Sequence, residues 1–371
     1  MPKHKHLRIG FVLDDTLDTP DGVQQYVITV GSWLSRQGHE VHYLVGESKR
    51  SDVKNVHSMA RNVRVRFNKN RLGIPLPTNK KLIAEKLKQL KLDIIHVQMP
   101  YSPLFAGRVI KATEPKTKII GTFHIVPASW LHSAGARGLE LLNRHTIKQF
   151  DKIISTSPAA SDFARTVFGI DSIIMPNPIN LKLFNQKPIY KKPLKIVFLG
   201  RLVERKGCQL LLKSLVQLQK QYKGKYEVII GGRGPLREKL ETYAKKNKLK
   251  KVKFIGFVDE KDKAVLLAGA DIAVFPSTGG ESFGISILEG MAAGSRVTLG
   301  GDNAGYRTIL ADHPDLLVEP KDSIGFANRL QYFLEHKDAR EAAYKWAKTN
   351  IGQYDITVVG KQILAVYQKE I

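Results

Sequence analysis

Two carboxylates, Glu281 and Glu289, stand with seven residues between them in the stretch P-S-T-G-G-E-S-F-G-I-S-I-L-E-G-M-A-A-G over 276–294. Carboxylates repel a diphosphate, but they accept hydrogen bonds from sugar and ribose hydroxyls, while backbone N–H groups at a helix start face phosphates. Gly279, Gly280 and Gly284 permit tight turns and close approach of the backbone to a ligand. The plain alternative is a glycine-rich turn whose helix-start glutamate serves the macrodipole. Upstream, F-L-G-R-L-V-E-R-K-G over 198–207 places Arg201 and Lys206 just beyond a strand. Two cations there can neutralise a diphosphate as it leaves, and preorganised charge of this kind is usually the largest catalytic contribution. A solvated basic loop is the alternative. In the first half, P-D-G-V-Q-Q over 20–25 sets Gly22 at a helix start, where backbone can approach an anion or a sugar; an ordinary strand-to-helix turn reads the same way. His124 ends an apolar strand in G-T-F-H, either to engage a hydroxyl or as a satisfied polar residue.

These residues need a frame to bring them together. Short β-rich runs alternate with helical patterns, the signature of parallel sheets with crossover helices. Strands are expected over 7–13, 40–45, 94–97, 119–123 and 152–156, with helices over 23–37, 80–90 and 138–150. Pro176, Pro178, Pro188 and Pro193 then punctuate a linker, because proline continues neither helices nor central strands. The pattern restarts with strands over 195–199, 226–230, 253–255, 272–275 and 296–299 and helices over 209–221, 236–246 and 285–293. Helical patterns from Asp322, Asp338 and Asp355 follow. The expected fold is α/β, two Rossmann-like domains over 1–176 and 177–351, with a C-terminal helix at about 352–371 packing back on the first. In such sheets ligands sit at the carboxyl ends of the strands, so a cleft between the two domains is the expected site.

The chain has 371 residues with 59 Lys and Arg against 34 Asp and Glu, a formal charge of +25. Its halves, divided at residue 190, carry +14 and +11, so the charge is no tail. Residues 61–91 hold ten basic side chains and Glu85 alone. Within that window Ile83, Leu87 and Leu90 repeat at i, i+4, i+7, a core stripe, with Lys81 and Lys88 on another face. Such basicity fits nucleic acid, an anionic membrane surface or phosphate-bearing substrates. No apolar run approaches the ~18 residues of a membrane span, and the basic start lacks the apolar core and cleavage site of a signal peptide. A lone cysteine, Cys208, excludes an internal disulfide and suits a reducing cytosol.

The glutamate pair, F-L-G-R-L-V-E-R-K-G, the T-F-H segment and the closing helical region, in this order through nearly the whole chain, resemble glycosyltransferase family 4, which has the GT-B fold of two facing Rossmann domains. Within it the chain is most similar to bacterial phosphatidylinositol mannosyltransferases. The resemblance implies a retaining transferase that moves mannose from GDP-mannose to a phosphatidylinositol-type lipid. Arg201 and Lys206 would stabilise the leaving phosphate, Glu281 would orient the sugar and His124 would lie at the donor's reacting end. Gly22, Val258, Phe283, Gly284, Ile285 and Glu289 would bind the donor, with Glu289 on the ribose and 257–258 on the base. Asp21 stands where the family usually has a second glycine. The relatives dock on phospholipid through a basic helix at the position of 80–91, so Lys80, Lys81 and Lys88 would meet an anionic membrane, placing the protein on the inner face of the cell membrane. No tightly bound cofactor is expected. Asp14-Asp15 lacks the D-x-D spacing of metal-dependent transferases of the other major fold, so no metal is expected. A UDP-glucose-dependent diacylglycerol glucosyltransferase and a transferase to a soluble sugar are the nearest alternatives. A nucleic-acid-binding protein, a different class, leaves Glu281 and Glu289 unexplained.

Overall fold

The computed structural model describes residues 5–19, 21–67, 70–76, 78–99, 104–124, 145–187 and 190–371. They form two compact units, one of 1–178 with 356–371 and one of 179–355. The division falls inside the proline-punctuated stretch.

The first unit holds strands β1 (Arg8–Leu13), β2 (Glu40–Val45), β3 (Val56–Ser58), β4 (Asn62–Phe67), β5 (Asn70–Pro75), β6 (Ile94–Gln98), β7 (Lys118–Phe123), β8 (Lys152–Ser155) and β9 (Ile173–Ile174). Seven of them make one parallel sheet in the order β3-β2-β1-β6-β7-β8-β9, and β4 and β5 pair antiparallel as a hairpin. Central strand β1 is apolar on both faces. Ile9, Phe11 and Leu13 join one buried cluster while Val12 joins the other, the alternation a strand imposes when helices cover both sides. Helices α1 (Gly22–Arg36), α2 (Lys80–Leu90), α3 (Phe105–Ala112) and α4 (Pro158–Phe168) supply those covers. The helix Ile356–Glu370 adds Ile356, Val359, Ile363 and Tyr367 to the β1 cluster, a helical stripe worth roughly 1.5–3 kcal/mol for each such side chain buried.

The second unit is a six-stranded parallel sheet of β10 (Leu194–Leu199), β11 (Tyr226–Gly231), β12 (Val252–Gly256), β13 (Ile272–Phe275), β14 (Val297–Gly301) and β15 (Leu317–Val318), ordered β12-β11-β10-β13-β14-β15. Helices α5 (Cys208–Gln221), α6 (Arg237–Lys246), α7 (Glu260–Ala268), α8 (Ile285–Ala293) and α9 (Ala304–Leu310) follow successive strands, and Ser323–Glu335 and Lys337–Asn350 complete the layer.

In each sheet the strand order reverses beside its first strand, between β1 and β6 and between β10 and β13. Loops leaving two such strands diverge to opposite faces and open a crevice at their carboxyl ends. The segments carrying Gly22, His124, Arg201, Lys206 and Glu281 all leave carboxyl ends of strands at or next to these reversals.

Strands 40–45 and 272–275 and helices 80–90 and 285–293 match expectation to the residue. The elements β3, β4, β5, β9, β15, α3, α4, α7 and α9 were not expected. Most of the expected helix 138–150 lies outside the described residues, which include a helical turn at 145–147.

Candidate active site

The charged centre of the second unit is built by two loops. After β10 the chain makes a short 3-10 turn at Glu204–Lys206 and then enters α5 through Gly207. Gly207 has φ 74°, and a Cβ there would lie 1.9 Å from the carbonyl oxygen of Pro276, the residue that follows β13. Only glycine lets the two loops come this close. Across the contact, the Thr278 N–H donates to the Arg205 carbonyl at 2.9 Å.

This junction fixes Glu281. Arg205 Nη1, Lys206 Nζ and Ser277 Oγ each lie 2.8 Å from its Oε1. The carboxylate side chain is 13% exposed. Burial alone would push its carboxyl up, but Lys206 and Arg205 outweigh burial, helped by hydrogen bonds from Lys206 and Ser277, and hold it below the usual carboxylate range. It is therefore ionised at neutral pH. The Nε of Arg205 is buried with no hydrogen-bond partner among the described residues, a donor whose desolvation nothing yet offsets. Arg201 sits half-buried at the start of the same loop.

Glu289 lies one turn inside α8, which opens at Gly284 with φ 120°. A Cβ on Gly284 would come within 2.9 Å of the Tyr306 ring, so the loop is pressed against α9. Lys263 from α7 reaches Glu289 Oε1 at 2.7 Å and Glu260 at 2.8 Å. Burial pushes the Glu289 carboxyl up in spite of Lys263. For Lys263 burial acts downward, yet Glu289 and Glu260 together keep it above the ordinary lysine value, a charged ammonium.

Beyond β12, Val258 is half-buried and packs against Gly231, while the neighbouring Phe257 is half-exposed under the Arg233 guanidinium, 5.0 Å from its ring centre. Ile285 is partly buried at the first position of α8. Phe283 turns inward. Its ring is 1% exposed and packs edge-on against Tyr354 at 5.9 Å, so its side chain belongs to the core and only its backbone can meet a ligand.

The first unit presents a different kind of site. His124, at the end of β7, is 3% exposed, and its Nε2 is 2.7 Å from Gln98 Oε1 at the end of β6. The Tyr26 ring stands edge-on to it at 4.7 Å. His96 is fully buried between Tyr367 Oη, 2.5 Å from Nδ1, and Thr122 Oγ1, 2.6 Å from Nε2. Burial pushes both imidazoles down to about 3, so both are neutral at physiological pH. Gly22 is exposed at the first position of α1, where no acidic residue occupies the first turn. Lys80, Lys81 and Lys88 are exposed on α2, while Ile83 and Leu87 enter the core. The three lysines are thus on the solvent face of α2.

Sequence reasoning missed Arg205, Lys263, Ser277 and the role of Gln98. Arg205 stood next to Lys206 in E-R-K-G, and Lys263 stood at the edge of the apolar run 264–270. Among the described residues no group of three or more His, Cys, Asp or Glu side chains is arranged to hold a metal ion, and no helix is long and apolar enough to cross a membrane.

Comparison with known proteins agrees with this geometry. Residues 180–350 match the family model of glycosyl transferases group 1, and residues 20–183 match glycosyltransferase family 4. The phosphatidyl-myo-inositol mannosyltransferase of Mycolicibacterium smegmatis is 30% identical over 98% of this chain and 94% of its own length. That of Mycobacterium leprae is 28% identical over 98% and 96%. Among solved structures, a glycosyltransferase from Rickettsia africae superposes with TM-score 0.77 at 19% identity over 98% of both chains. A sucrose-phosphate synthase from Thermosynechococcus elongatus gives 0.72 at 20% over 98% of this chain and 99% of its own. These structures share the GT-B fold.

Proposed function

We propose, from the premise that the chain belongs to glycosyltransferase family 4, that it transfers mannose from GDP-mannose to a phosphatidylinositol-type lipid with retention of anomeric configuration. The observation that carries the donor half is the convergence of Arg205, Lys206 and Ser277 on Glu281 at the strand-order reversal of the second sheet. All three donors use Oε1, which leaves Oε2 to accept a hydroxyl of the donor sugar. Glu289 has the same asymmetry, with Lys263 on Oε1, and its other oxygen takes the ribose. Val258 and the backbone of Phe283, Gly284 and Ile285 line the donor, and Gly22, at the exposed start of α1, offers its backbone N–H to the donor.

In the reaction the bond between the anomeric carbon and the diphosphate oxygen breaks, and its electron pair stays on the diphosphate. Arg201 and Lys206 neutralise that charge as it develops, in a site already organised before the reaction. The acceptor hydroxyl bonds to the anomeric carbon from the same face, and its proton passes to the departing phosphate oxygen. His124 lies at the sugar's reacting end as a neutral hydrogen-bonding group.

The lipid half is supported by the relatives of about 30% identity and by α2, whose Lys80, Lys81 and Lys88 are exposed. Each near-surface lysine gains roughly 1 kcal/mol from anionic lipid, which fits peripheral docking on the inner face of the cell membrane. The test crosses GDP-mannose and UDP-glucose with phosphatidylinositol, diacylglycerol and soluble sugars, with products read by mass spectrometry. Mannosylated phosphatidylinositol is expected. A glucosylated diacylglycerol or a soluble disaccharide would replace this reading. Flotation with phosphatidylglycerol vesicles should fall when Lys80, Lys81 and Lys88 are changed to glutamine and when salt is raised, while GDP binding persists.

A further inference from the structure

The end of β6 carries a group that the functional reading does not use. Gln98 is 1% exposed, its amide nitrogen donates to the His96 carbonyl at 3.2 Å, and its Oε1 lies 2.7 Å from His124 Nε2. A carbonyl oxygen can only accept, so the amide NH2 must face His96 and Oε1 must face His124. An amide oxygen also only accepts. The proton shared with His124 therefore belongs to the imidazole, on Nε2. Because burial keeps the ring neutral, with its pKa down at about 3, the other nitrogen, Nδ1, carries a lone pair and no proton. A single backbone oxygen thus dictates, through one glutamine, which face of the histidine accepts.

We propose that Gln98 is a positioning residue that locks His124 as the Nε2–H tautomer, so that the ring offers the donor sugar one acceptor, at Nδ1, and no second donor. This deepens the assignment of His124 to the sugar and rests on it. The chemistry matters because a neutral imidazole free to exchange tautomers spends part of its time with a proton where a sugar hydroxyl needs an acceptor. The surroundings help to keep the choice fixed. Tyr26 packs against the ring in a T-shaped contact, and His96 is tied independently by Tyr367 and Thr122, so neither competes for Nε2.

Ring 15N shifts of His124, assigned by comparison with His124→Asn in the full chain, read the tautomer directly. The parent should show a protonated Nε2 and an unprotonated Nδ1. Gln98→Met, which keeps the length and removes the acceptor, should give exchange-averaged shifts and a kcat lower by about tenfold, equal to about 1.4 kcal/mol, with the KM for acceptor unchanged. Gln98→Glu keeps an acceptor at Nε2 but sets a carboxylate against the ring, so Nε2 should stay protonated while the His124 pKa rises. A protonated Nδ1 in the parent, or an unchanged tautomer in Gln98→Met, overturns the proposal whatever the turnover. If the shifts follow the prediction but kcat does not fall, the tautomer lock stands and the assignment of His124 to the sugar fails.

Discussion

The two units build their polar centres in opposite ways. At the carboxyl ends of β6 and β7 the first unit buries neutral groups, His96, His124, Gln98, Thr122 and Tyr367, joined by hydrogen bonds that need no net charge. At the carboxyl ends of β10 and β13 the second unit sets ions together, Glu281 with Arg205 and Lys206, and behind them Glu289 with Lys263. Neutral networks select geometry, whereas buried ions meet charge. In the proposed reading the charged centre meets the diphosphate and the neutral one a sugar hydroxyl. The difference also means that the units should respond differently to mutation, acid and ligand.

The sharpest break in the comparison is loss of an ion at the charged centre. Glu281→Ala and Lys206→Ala should each lower kcat by about 10²–10³-fold, the scale of removing one preorganised electrostatic group, in proteins that remain folded by circular dichroism. Parent-like turnover in either variant would detach this centre from the chemistry.

Next in size is the buried pair behind it. Lys263→Met leaves Glu289 without its cation and should cost roughly 3 kcal/mol in urea unfolding of the second unit. Adding Glu289→Leu should recover most of that loss while still impairing donor binding. No recovery in the double variant would mean that Lys263 acts through packing alone.

Acid should separate the units further. His96 and His124 have folded pKa values near 3, below the ordinary histidine value, so the unfolded chain takes up protons that the native unit refuses. Their contribution is complete above about pH 6.5 and is lost as pH falls toward 3, by about 1.4 kcal/mol per histidine per pH unit. His57, lowered to about 4 by burial, Lys86 and His42, adds to the same trend. Glu281 is depressed, so its contribution is present above the usual glutamate range and is lost only as pH falls below it. Glu289, raised, works in the reverse direction. Pulsed amide exchange at a fixed labelling pH, after equilibration between pH 7 and 4.5, should show the first unit weakening first. Equal weakening of both units would contradict the contrast.

How far this was legible in the sequence depends on whether a signal was local. The parallel sheets and most helices announced themselves through period and length, and the pair Glu281 and Glu289 through composition. Arg205 was missed because two adjacent cations look alike until Gly207 folds the loop against Pro276. Lys263 was missed because its partner lies 26 residues away. That Phe283 turns its ring into the core was not legible, because a motif gives the residue but not the direction of its side chain. The hairpin β4–β5 was hidden by its charge. Val63, Val65 and Phe67 alternate with Arg64 and Arg66, a strand pattern that the count of basic residues obscured. Gln98 carries no local signal, since its meaning depends on the register that sets β6 beside β7.

The smallest expected effect concerns α2. Asn79 caps it by accepting from the Lys81 N–H at 2.9 Å, so Asn79→Ala should cost about 1 kcal/mol of first-unit stability, measured by urea unfolding, without moving the second unit.

The central claim, that the charged unit holds the diphosphate while the neutral one reads the sugar, is tested most directly by calorimetric titration of GDP and GDP-mannose into the parent, Lys206→Ala and His124→Ala. Lys206→Ala should weaken both ligands by at least about tenfold, a loss of about 1.4 kcal/mol, whereas His124→Ala should spare GDP and weaken GDP-mannose alone. Equal loss of GDP affinity in the two variants, or none in Lys206→Ala, would contradict the account.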